Sequence, residues 1–455
     1  MNPQLKPTIF LIALMFCMLN SCSNNDTTPL SEEEPDEIPD QSEFTIYSDQ
    51  DYPDIPSFEI PDSAQRYIGG PNADDSNNGS KSAPWATFDK GLRELAVSSS
   101  WYCLNLASDL SIDSPIDTKF YGPGPGTPSQ FVYIRSDPSV STPITLTINA
   151  RVEIDGQQHW LWYGFKMRGT EGVNIGDDRP TYHHTIRNIQ GNMSGQGGDN
   201  HGFFQALNYN ANYFGVFNCD FTGPGTTNDG IHGNTAAIIA FRVTHMRLEN
   251  NRISNTPRPL YYKHSNQPAF GTASIHIRNN YHKAEGIGEY CFFAGRAEAG
   301  TFEISNNIFE GYVEISNGGG SEQPEGHFIS HNTFLSDLKI QNGNDPVINA
   351  TITNNIIAGK FEILRYHNNV NTNTSNYQLY GDHIYYQTHK YTLEEWQASS
   401  IPSNQDTNSL SGQPQFLENQ DPPKHYELAP NSTGKQAASD GEDIGANTSY
   451  VGVKQ

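Results

Sequence analysis

At 455 residues the chain is about three times the usual domain length, but all-β solenoids of this size fold as one unit, so length alone does not divide it. Charged residues make up only 17%, and 40 glycines with 28 prolines make turns dense, which argues against a coiled coil or helical bundle; 11% aromatics argue against disorder. The formal charge of −24 argues against nucleic acid as a partner, because that binding needs a basic footprint.

Lys6 precedes an apolar run at 9–19 (IFLIALMFCML), too short to span a bilayer as a helix and suited to a secretory leader. The run ends in Leu19-Asn20-Ser21-Cys22, which resembles the bacterial lipobox. That resemblance implies a leader over 1–21, cleavage before Cys22, a lipid anchor on its thiol, and a place on the outer membrane facing the cell exterior. Residues 23–62 hold thirteen Asp or Glu and no Lys or Arg, with proline throughout and no periodicity. Such a segment cannot bury a face and self-repels, so 22–62 reads as an extended tether and 63–455 as a single folded body, expected to be a monomer. Cys103, Cys219 and Cys291 remain in the body; with no Cys-x-x-Cys pair, they read as buried apolar thiols.

Five segments repeat: RLENNRIS (247–254), IRNNYHKA (277–284), ISNNIFEG (304–311), ISHNTFLS (329–336) and ITNNIIAG (352–359). Each is a short strand entering an Asn-rich turn, and the second Asn falls at Asn251, Asn280, Asn307, Asn332 and Asn355. Spacings shrinking from 29 to 23 residues suit the coils of a solenoid that differ in loop length, and are too short for propeller blades. Asn tolerates the left-handed backbone such a turn demands, and stacked Asn side chains can bond from coil to coil. The reading is all-β: a right-handed parallel β-helix solenoid with coils at about 130–370.

The segment at 66–95 resembles the opening of secreted β-helix proteins, with a first strand and a Gly/Asn loop leading to an N-terminal capping helix near Trp85. TLEEWQ has Thr392 and Glu395 at capping-box spacing, and an irregular C-terminal segment follows, again similar to that superfamily. The resemblance implies binding or cleavage of polysaccharides.

A uronate lyase must neutralise a carboxylate, remove the C5 proton and protonate the leaving oxygen. Residues 242–296 carry eight bases against three acids, a net +5 in a body (63–455) of net −12, a reversal that an anionic polysaccharide would require. Within it, Lys263 one coil before Arg296 resembles the Lys-then-Arg order of β-helix lyases of the alginate lyase and chondroitinase B type, implying Lys263 as base and Arg296 as acid or clamp. Arg258, Tyr261, His264, His232 and Arg278 would bind substrate. The Glu-x-Glu that binds Ca²⁺ in that family has no counterpart before Lys263. Resemblance to Ca²⁺-dependent pectate lyases instead implies Ca²⁺ on Asp199, Asp220 and Asp229. A non-catalytic glycan-binding or adhesion protein and a glycoside hydrolase are the alternatives. Trp160, Trp162, Tyr163, Tyr261 and Tyr262 fit either sugar stacking or a core.

Overall fold

The structure, a computed structural model, describes residues 51–194, 201–207, 212–224, 235–263, 273–285, 290–295, 300–316, 327–341, 350–364, 374–399, 405–417 and 419–454. The expected leader, Cys22 and the expected tether up to residue 50 lie outside the described residues.

Among the described residues the strands form three sheets of twelve strands each, visited by the chain in turn. Cys103–Leu106, Leu110–Ile112 and Ile116–Asp117 make the first full coil, and Thr374–Asn376, Leu379–Tyr380 and Ile384–Tyr386 the last. Strands pair in parallel with the strand one coil away, until a closing antiparallel pairing of Ile384–Tyr386 with His389–Tyr391. This is a right-handed parallel β-helix. Its coils extend beyond the expected 130–370 at both ends. The upper coils lack the Asn pair that marks the lower ones: Phe165, Ile189 and Cys219 stand where the second Asn would be.

Alternation explains the core, because every second residue of a strand points inward. On the first sheet, parallel register stacks Leu104, Ile134, Trp162, Ile186, Val216, Leu248, Ile277, Ile304, Ile329 and Ile352 in one column. All are at most 1% exposed, and burying each such side chain contributes about 1.5–3 kcal/mol. Helix α1 (Phe88–Ala96) closes the top. Thr87 caps it by accepting from the Lys90 N–H, which is why it starts there rather than at Trp85. Its buried face carries Phe88, Leu92 and Leu95, and Gly91 lies so close to Ile68 and Leu104 that a β-carbon would sit 3.0–3.1 Å from them. Helix α2 (Leu393–Gln397) closes the bottom with the expected Thr392/Glu395 capping box. Its Trp396 donates to Asp406, which also accepts from Tyr380, Ser375 and Ser409.

The corner between the first and second sheets is a two-residue turn in coil after coil. Its first residue is left-handed: Asn250, Asn279, Asn306, His331 and Asn354 have φ between 54° and 59°. The second Asn is fully buried and bonds down the stack. Asn280 accepts from the N–H and Nδ2 of Asn251, Asn307 from those of Asn280, Asn332 from those of Asn307, and Asn355 from those of Asn332, at 2.8–3.0 Å. Cys219 N–H tops the ladder and Gln378 continues it below Asn355. The two roles anticipated for asparagine thus fall on different members of each pair.

Both terminal segments dock on this frame. The expected tether boundary at 62/63 is corrected, because the chain is packed from Tyr52 onward. Tyr52 is 2% exposed over Gly215 and Phe217, Arg187 donates to the carbonyls of Tyr52 and Pro53, and Ile60 joins Cys103, Tyr133 and Leu161. Apolar residues among the acids supply the buried face that composition concealed. The C-terminal segment covers the second sheet, with Leu428 and Ile444 on Ile356 and Leu379, and Val451 on Tyr281 and Ile308. Its main-chain N–H groups bond to the corner amides: Ser439 to Asn354, Asn447 to Asn306 and Lys454 to Asn218. Cys103, Cys219 and Cys291 are buried thiols, as expected, and burial pushes the Cys103 and Cys219 thiols up to about 12.

Asn307→Ala removes the oxygen that satisfies two buried donors of Asn280 and two donors of its own. We expect a loss of about 3 kcal/mol in chemical denaturation. Asn306→Gly keeps the left-handed backbone available and is expected to cost less than half as much.

Candidate functional site

Because the first–second corner is fixed at two residues from Gly164 onward, variation in length of those coils falls at the other two corners, and both border the third sheet. The packed segment 52–64 occupies outer surface of the first sheet and the C-terminal segment that of the second. The third sheet is therefore where long connections and outward side chains come together.

Register defines an outward row along this sheet: Asp117, Glu153, Asn174, Gln205, Ile239 and Tyr261 on successive rungs, then Glu314, Lys339 and Glu362 beyond Phe293. Its upper end is acidic and its lower end holds the Lys339–Glu314 pair at 3.4 Å. In the middle, Tyr261 packs with Ile239, Leu207 and Ala236. Arg258 precedes the strand Leu260–Lys263 and lays its guanidinium 5.1 Å from the Tyr261 ring and 5.6 Å from the Tyr290 ring. Lys263 ends that strand exposed, and its carbonyl accepts from the Arg242 N–H. Arg258, Tyr261 and Lys263 are thus brought together on one face.

His264 and Arg296 lie outside the described residues; each follows in sequence a strand end of the third sheet, Lys263 and Gly295, which are register partners. Asp199, Asp229 and His232 also lie outside them, in segments that lead from second-sheet to third-sheet strands. Two expected residues are elsewhere. Asp220 is on the second sheet between Gln190 and Arg252, where burial raises its pKa and Arg252 opposes the rise. It shares no face with Lys263, and the other two residues of the expected Ca²⁺ set, Asp199 and Asp229, lie outside the described residues. Arg278 is on the first sheet in an ion pair with Glu303, to which His276 also bonds at 3.0 Å. Burial would raise the Glu303 pKa, but these two partners overcome it and hold it at about 2.

The +5 stretch is consequently not one patch. Arg247 pairs with Glu249 on the first sheet; on the second, Lys283 pairs with Glu285 and Glu310, and Arg252 lies over Tyr281. Arg242, Arg258 and Lys263 stay with the third sheet. Of the aromatics, Trp160, Trp162 and Tyr262 fill the core at 0–1% exposure, while Tyr163 and Tyr261 point outward and are nearly covered.

Sequence reasoning missed the acidic end of the row. Carboxylate oxygens of Asp117, Glu153 and Asp155 lie within 4.8 Å of one another. Burial raises the pKa of both Glu153 and Asp155. The alternating Arg-Val-Glu-Ile-Asp at 151–155 was visible, but its pairing with Asp117 crosses coils whose loops hide the register.

These sheets define a parallel β-helix protein. No protein-family model matches the chain, and no curated protein matches it in sequence. Among solved structures, the crystal structure of pectate lyase Pel9A is similar over 84% of this chain and 96% of that one, at 14% identity and a TM-score of 0.41. A rhamnogalacturonan lyase is similar over 84% and 99%, at 13% identity and a TM-score of 0.38. At that distance the likeness is one of architecture.

Arg278→Gln should weaken folding by about 1–2 kcal/mol at neutral pH, because Glu303 is left largely buried with only His276 and the Ser305 hydroxyl as partners. Glu303 has a lowered pKa, so its contribution is full above about 4.5 and disappears as pH falls towards 2. The difference between the variant and the parent should narrow over that window in denaturation series.

Proposed function

We propose that the protein is a surface-anchored polysaccharide lyase that cleaves an anionic, uronate-containing polysaccharide by β-elimination along the third sheet. The observation that carries this reading is the meeting of an exposed Lys263, the Arg258–Tyr261–Tyr290 cluster and the Arg242 corner on one outer face. Cationic groups there suit a carboxylate-bearing chain on an otherwise acidic body.

In this mechanism Arg258 and its neighbours attract the uronate carboxylate, which makes the C5 proton more acidic. The Lys263 amine takes that proton; the electron pair forms the C4–C5 double bond, and the C4–O4 bond breaks. Arg296, or water, gives a proton to the departing oxygen. The buried aromatics weaken the alternative of a stacking-based adhesion module, since sugar rings need exposed faces.

The full chain, offered a panel of anionic polysaccharides, should release product absorbing as an unsaturated uronate. Lys263→Ala should lower that rate by about 10²–10⁴-fold while binding in affinity electrophoresis persists. Saturated products would move the assignment to a hydrolase, and full activity in the variant would remove Lys263 from the mechanism.

The same proposal places the chain on the outer membrane, with leader 1–21, lipid on Cys22, and a tether shortened to 22–50 before the packed body. Lys6, the apolar run and the lipobox-like end support it. Cys22→Ala should shift the protein from the membrane to the soluble fraction; unchanged fractionation would refute the anchor.

A further inference from the structure

We propose that Asp117, Glu153 and Asp155 form a Ca²⁺ site that fastens the first coils of the solenoid together and is separate from the lyase chemistry. Their carboxylate oxygens lie within 4.8 Å of one another. Two oxygens each about 2.4 Å from a single Ca²⁺ are at most about 4.8 Å apart, so the spacing of the three is compatible with one shared ion.

The independent observation is the state of Asp155. Its side chain is 1% exposed; one oxygen accepts from the main-chain N–H groups of Asp178 and Arg179, while the other, Oδ2, is buried without a hydrogen-bond partner. A carboxylate oxygen out of water and without a donor calls for a cation.

Two basic side chains touch the cluster, and each has a second acid to turn to. Lys119 lies 2.8 Å from both Asp117 and Asp178, and Arg151 lies 2.8 Å from Glu153 and 3.1 Å from Asp177. An arriving ion can take Asp117 and Glu153 while Lys119 and Arg151 keep Asp178 and Asp177. The five acids and these two bases, with Arg179 adjoining, leave the locality net negative, which favours a divalent ion.

The site is structural rather than a substrate clamp. Three carboxylates more than neutralise one Ca²⁺, which removes its long-range pull on an anionic chain. Glu153 is four rungs from Tyr261, roughly 19 Å at about 4.8 Å per rung, too far to act at Lys263. What the ion joins is the end of the first coil (Asp117), the second coil (Glu153, Asp155) and, through Asp155, the Asp178–Arg179 main chain of the third.

The test uses the chelator-treated full chain, titrated with CaCl₂ and, separately, MgCl₂, and read by calorimetry and thermal unfolding. Binding at about 10⁻⁵–10⁻³ M with a midpoint raised by a few degrees is expected for Ca²⁺, with a weaker response to Mg²⁺, which demands tighter octahedral geometry. Asp155→Asn and Glu153→Gln should each abolish the response, Lys119→Met should tighten binding, and Lys263→Ala should leave it unchanged, which separates this proposal from the lyase reading. Absence of any Ca²⁺ response in the parent overturns it. So does a response that survives in Asp155→Asn, or a stability gain from Asp155→Asn without calcium, which would mean that a proton fills the place of the ion. If Asp155→Asn does not fold, calorimetry on Glu153→Gln decides: retained binding refutes the site.

Discussion

The amide-to-amide hydrogen bond at the corner between the first and second sheets is the interaction on which the rest of the solenoid depends. A two-residue turn exposes main-chain N–H groups that the strands cannot pair, and here they are buried. One asparagine oxygen accepts both the N–H and the Nδ2 of the coil above, while each Nδ2 also reaches a carbonyl such as Ile277 or Ile304. No rung is satisfied without its neighbour. Stability is therefore a sum of contacts between adjacent coils, and both ends need lids. At the bottom the ladder passes through Gln378 and Ser409 to Asp406, where α2 supplies Trp396.

The ladder was legible because its chemistry is local: two consecutive residues, one needing positive φ and one needing an amide, recur after the first-sheet strands of the lower coils. The uppermost coils were illegible for the same reason in reverse. Phe165, Ile189 and Cys219 fill the interior with apolar groups and donate no side-chain amide, so no residue type marks them. The packed segment that begins at Tyr52 was hidden by composition, since Tyr52 and Ile60 are a small apolar minority among acids, although Gly215, at which a β-carbon would come within 2.7 Å of the Tyr52 ring, leaves room for it.

The candidate site was half legible. Charge counting along the chain found a basic stretch, but a coil turns through three faces in 20–30 residues, and counting cannot say which base goes where. Alternation could have separated Arg247 and Arg278, which lie on strands leading into the Asn turns, from Lys263, which ends the strand farthest from them. Partners on other coils, such as Glu303 for Arg278, depend on register and not on proximity in sequence.

Geometry then explains why chemistry would gather at the third sheet. The first–second corner cannot vary without breaking the amide ladder, and its outer rim is bonded to the C-terminal segment through Asn218, Asn306 and Asn354. Insertions are tolerated only where no ladder runs, so connections of different length accumulate on both borders of the third sheet. Rigid rungs fix Tyr261 and Lys263 at about 4.8 Å from their counterparts above and below, while the connections beside them are free to differ from coil to coil. A repeating frame that holds one corner constant thereby assigns its freedom to the opposite face.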